Sequence, residues 1–135
     1  MKLILLLFLT FSVNYSLSNS ECRSMEKCIE LLFREKKVND FLHSEIKERI
    51  PFRFLNITNC NSKEFERFQI ISVKEFRNDS IRLRNGFDIQ VLKFKESKND
   101  IELNLFYPIE GGGMNCKFEK IKDIYSVKEI NFYEY

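Results

Sequence analysis

Two amphipathic helices followed by a bulged antiparallel sheet, an α+β fold in one domain, is the architecture this sequence predicts. Two observations carry it. Apolar residues recur at helical spacing between Met25 and Ile50, and the period changes to two from Phe52 onward. Pro51 marks the boundary, because a proline pushes the residue before it out of helical geometry.

The chain begins with a charged Lys2, a short apolar run over Leu3–Leu9 with Phe11 and Val13, and a small polar exit at Ser16–Ser20. This is the pattern of a secretory signal peptide, so residues 1–20 are expected to be a signal with cleavage near Ser18–Ser20, and residues 21–135 a single domain. The run is too short for an anchor and no later segment approaches the ~20 apolar residues of a membrane helix. The expectation is an exported protein, secreted or periplasmic, without a membrane anchor.

Ser24 is the expected N-cap of the first helix, with Met25, Cys28, Ile29, Leu32 and Phe33 on one stripe to about Lys37. Asn39 or Asp40 then begins a second helix with Leu42, Ile46 and Ile50 on one face and Phe41 beside them. Phe52–Phe54 starts a short strand and Phe65–Arg77 a longer one. Asn85–Gly86, between Ile81–Leu83 and Phe87–Ile89, is a type I′ hairpin signal, since both turn positions require positive φ.

Ile101, Leu103, Leu105 and Tyr107 alternate cleanly, whereas Phe87, Ile89 and Val91 are followed by Leu92 and Phe94. One extra residue at Val91–Leu92, a β-bulge, would put all five on the face used by Ile101–Tyr107. The last strand changes phase too, from Tyr125 and Val127 to Ile130 and Phe132. The expected result is a strongly curved antiparallel sheet of about five to six strands, a half-cone closed by the two helices.

The order of elements resembles nuclear transport factor 2-like (NTF2-like) domains of the cystatin-like superfamily. The resemblance rests on Ile101–Ile109, Gly111–Gly113, Cys116–Lys120 and Ile124–Glu134, with Lys122–Asp123 and Tyr125 where such domains carry a lysine-rich turn and a buried aromatic. It covers most of the chain as a pattern. The superfamily contains pocket enzymes, binding modules and immunity proteins, so it implies a fold and leaves function open.

The 22 basic and 20 acidic residues are intermixed, without the basic stripe that nucleic acid would demand. Cys22, Cys28, Cys60 and Cys116 read as two disulfides in an exported chain. With Ser24 as N-cap, Cys22–Cys28 is reachable and leaves Cys60–Cys116; the competing pairing is Cys22–Cys60 with Cys28–Cys116. No cysteine spacing and no proximity to His43 suggests a metal, and no cofactor motif is present.

His43 reads as a surface histidine, and neither a Ser-His-Asp nor a Cys-His arrangement can be assembled around it. Most carboxylates fall at turns or in the outward phase of strands; Asp88 and Glu102 become an acid/base pair only if one is drawn inside. Gly111–Gly113 reads as a flexible hairpin tip rather than a phosphate loop. Phe106 and Tyr133 point away from the core phase, where clustered aromatics would form a partner surface. Asn56-Ile-Thr58 and Asn78-Asp-Ser80 match glycosylation sequons.

The function these features favour is an exported, non-enzymatic binding protein that engages another protein, of the immunity or inhibitor kind. The alternative is an NTF2-like pocket protein binding or converting a small apolar ligand, its cavity lined by Phe87, Leu105, Tyr107 and Phe132. A cystatin-like protease inhibitor is a third, weakened because Gln90–Leu92 lacks the glycine that ends that family's inhibitory loop.

Overall fold

The computed structural model describes residues 17–55, 60–72 and 86–134. The body of the expected signal peptide, both sequons, Asn85 and the strand expected at Ile81–Leu83 lie outside them. Two helices, α1 (Asn19–Leu32) and α2 (Lys36–Leu42), precede seven strands. These are β1 (Phe52–Leu55), β2 (Lys63–Glu64), β3 (Phe68–Ile71), β4 (Asp88–Ser97), β5 (Asp100–Tyr107), β6 (Gly112–Ile121) and β7 (Ile124–Glu134). They form one sheet in the order β2-β3-β1-β4-β5-β6-β7.

The first helix begins earlier than Ser24. Ser18 is its N-cap, in a reciprocal capping box with Glu21. Ser24 has Lys27, not an acid, three residues on, so it cannot form that box. It lies instead inside α1, fully buried with Met25, Cys28, Ile29 and Leu32 against the sheet. Asn39 does not cap the second helix. Its amide donates to the carbonyls of Phe33 and Glu35, satisfying the end of α1 from within α2. α2 stops at His43, which takes a left-handed conformation with φ 54°, so Ile46 and Ile50 leave the helical period and Lys47–Arg49 forms a single 3₁₀ turn.

The sheet is mixed. β1 runs parallel to both β3 and β4, in contrast to the all-antiparallel sheet expected from alternation, and the other pairings are antiparallel. Period two is common to both orientations; direction depends on the connection, and residues 56–67 are the dozen or so that a parallel crossover needs. The sheet is not strongly curled. Both expected phase changes are present, with register shifts at Val91/Lys93 and, in β7, between Glu129 and Val127 opposite Lys117/Phe118. Each bulge re-phases its own strand, while β1, β3 and β2 extend the sheet sideways instead of rolling it into a cone.

The first bulge does not bury all five apolar residues. Ile89, Val91 and Phe94 are buried, but Leu92 is the extra residue and is 45% exposed on the opposite side, and Phe87 lies just before the strand, half-buried. Ile101, Leu103, Leu105 and Tyr107 are all buried, opposite Phe118, Cys116, Met114 and Gly112 of β6. Around Phe33 the core is aromatic: its ring stacks on Phe68 at 5.3 Å and meets Phe54 edge-on at 6.1 Å.

Candidate functional site

The cysteines pair as Cys22–Cys60, not Cys22–Cys28, and Cys28 and Cys116 are free and buried. The physical reason is the early start of α1. Cys22 and Cys28 lie six residues apart in one continuous helix, about 9 Å along its axis, beyond the reach of a disulfide. Burial, reinforced by the charges of Glu96 and Cys116, pushes the Cys28 thiol up; burial pushes Cys116 up to about 12. Neither is a nucleophile in this state.

Two polar clusters join distant parts of the chain. In the first, Arg49 lies almost wholly buried behind α2, donating to Leu42 O at 3.2 Å and to Glu110 Oε1 at 2.7 Å. Its guanidinium sits 5.6 Å from the Phe87 ring centre and 5.7 Å from that of Tyr107. Burial opposes its charge, but Glu110 and Tyr107 outweigh that and raise its pKa. His43 Nε2 is 3.5 Å from the same Glu110 oxygen, and Nδ1 is 3.1 Å from Glu45. Both ring nitrogens therefore face carboxylates. The arrangement ties the end of α2 to the 3₁₀ turn Pro108–Glu110 that follows β5.

In the second cluster, Ser24 Oγ lies 3.0 Å from Tyr125 Oη, and Lys120 Nζ lies 5.4 Å from the Tyr125 ring centre and 3.1 Å from Glu96. The hydrogen bonds from Glu96 and Tyr125 raise the Lys120 pKa. Ser24 is fully buried, so this file of side chains links α1 to β7, β6 and β4 without offering an exposed hydroxyl.

Asp88 and Glu102 do not meet as an acid/base pair. Asp88 is buried in a bidentate pair with Arg53, both contacts 2.7 Å, whereas Glu102 is on the surface with Lys93 at 2.8 Å. Leu105 and Tyr107 are fully buried, with Tyr107 packed against Phe41 and Phe52. Phe132 is 38% exposed on the edge strand, its ring 5.2 Å from Phe41, and Phe87 covers Arg49. Phe87 and Tyr107 thus share Arg49 as a neighbour, and Tyr107 and Phe132 share Phe41. Among the described residues no group of metal-ligating side chains occurs and no helix is long and apolar enough to cross a membrane.

Gly112 and Gly113 are strand residues, not a flexible tip. A Cβ on Gly113 would run into the Leu105 carbonyl and the Tyr133 ring, and one on Gly112 into the Tyr133 carbonyl. Tyr133 lies across this gap and donates to Leu105 O at 3.0 Å. Register sets Phe106, Gly113 and Tyr133 side by side on the face away from the helices. The next row is Asn104, Asn115 and Asn131, flanked by Lys93, and the row after it Glu102, Lys117 and Glu129. Leu92 and Asn115 are exposed there. The three asparagines stand far apart in sequence, and only strand register aligns them.

No protein-family model matches the chain, and neither a curated protein nor a solved structure matches it at a significant level.

Proposed function

We propose that this chain is an exported, non-enzymatic binding protein, of the immunity or inhibitor kind, that engages another protein through the outer face of β4–β7. The observation that supports it is the composition of that face: an aromatic row of Phe106 and Tyr133, an asparagine row, and exposed Leu92, with charges of both signs around them. Apolar and aromatic groups inside a polar rim make a protein-binding surface. Export is part of the proposal, supported by the pattern of residues 1–20 and by the Cys22–Cys60 disulfide. An NTF2-like relationship belongs to it as well, supported by two N-terminal helices over a sheet with two re-phased strands.

The test is capture of a partner from the exported proteome of the host by the wild-type chain and by Leu92→Glu/Asn115→Arg. Loss of the captured protein with the double variant, and its retention with the turn variant Lys98→Glu, is the expected result. Equal capture by all three would place the binding surface elsewhere.

A further inference from the structure

Among the described residues β7 ends the sheet, and one side of its eleven residues has no strand partner there. Such an edge is a template for another strand. Ile124 is 72% exposed, and Ser126, Lys128, Glu129 and Asn131 are exposed with it. We propose that it is a homodimer interface, in which the β7 strands of two copies pair antiparallel about a two-fold axis perpendicular to the sheet. This goes beyond the binding role proposed above, and leaves the outer face of β4–β6 open in each copy.

The occupant follows from the strand's own complementarity. Residues opposed in an antiparallel pair point to the same side, and this axis keeps the helix-bearing side of both copies together. In an unbroken strand, residues paired across such an axis must share parity. A central register would then oppose Lys128 to the partner's Lys128, or Glu129 to the partner's Glu129. The bulge in β7 removes that constraint, because the strand changes phase between Val127 and Glu129. Lys128 can then oppose the partner's Glu129.

The pairs flanking that contact match as well. Val127 meets the partner's Ile130, and Tyr125 the partner's Phe132, on the helix side where Tyr125 and Val127 are half-buried and Phe132 is partly exposed. Ser126 meets the partner's Asn131 on the outer side. The present partners of the two charged residues are exchangeable: Lys128 with Asp100 at 3.3 Å and Glu129 with Lys117 at 3.9 Å are exposed pairs of little energetic weight.

Sedimentation of the disulfide-bonded chain over roughly 1–200 μM is expected to show a monomer–dimer equilibrium. K128E and E129K each put like charges opposite one another twice across the axis and should weaken the dimer about tenfold or more. Mixing the two single variants restores opposite charges at both places, so the mixture should form heterodimers, and the double variant K128E/E129K should dimerise like the wild type. Circular dichroism checks that each variant keeps its fold. A wild-type chain that stays monomeric throughout overturns the proposal and makes Lys128 and its bulge guards of the edge. A dimer indifferent to either charge change, or single variants that fail to rescue each other, overturns it too.

Discussion

The carboxylate of Asp88 is held by both nitrogens of a fork on Arg53 in a setting that is 2% exposed. Removing one member of a buried ion pair takes away the charge that the other was placed against. Asp88→Ala is therefore expected to lower the unfolding free energy by about 3–5 kcal/mol, read by urea denaturation. The two core thiols give a pH signature. Both have folded pKa values raised above their ordinary 9.0, mainly by burial, so the stability they add is complete below pH 9 and is lost as pH rises. Between pH 9 and about 12 the unfolded chain releases protons that the folded core retains, and stability should fall by on the order of 1 kcal/mol per thiol per pH unit at most. Urea midpoints across this range, against Cys28→Ala/Cys116→Ala, measure the contribution. At pH 8 neither thiol should react with a maleimide until the chain is unfolded.

Among the elements, β5 is the clearest case of pattern becoming structure. Ile101, Leu103, Leu105 and Tyr107 are buried in strict alternation between β4 and β6. Leu103→Ala and Leu105→Ala should each cost about 2–5 kcal/mol, as large-to-small changes in a packed core do. Loss below about 0.5 kcal/mol at both would show that this face is not the core. The phase breaks at Leu92 and in β7 were also legible, because apolar residues switch parity there. What those breaks do to the sheet was not legible. The expected cone required every strand to run antiparallel, whereas β1 lies between two parallel neighbours. The start of α1 is not at the expected Ser24; it lies at Ser18, where the acid at position 21 completes a capping box.

At the scale of the whole molecule, the Cys22–Cys60 bridge joins the first turn of α1 to the segment entering β2 across a sequence separation of 38. The chain-entropy relation assigns such a loop about 4 kcal/mol, less any native strain. Cys22→Ser/Cys60→Ser should lower stability by up to that amount while leaving the circular dichroism spectrum of the folded state unchanged. Peptide mapping without reductant should recover a Cys22–Cys60 linkage. A Cys22–Cys28 peptide would contradict the continuous helix through both positions.

Local chemistry alone determined the α+β class, the two helices, the alternation of β5 and the two phase breaks, since propensity and periodicity act over a few residues. Two positive-φ residues, Lys122 and Asp123, stand at the turn before β7 that the resemblance implied, with φ of 48° and 65°. Only the tertiary structure decided strand order, the direction of β1, the cysteine pairing and the surface clusters. Arg49 and Glu110 are 61 positions apart, and Asn104, Asn115 and Asn131 lie on three strands. Their meeting depends on register and on crossovers between segments, which are set by the packing of one apolar core and leave no trace in the spacing of the residues themselves.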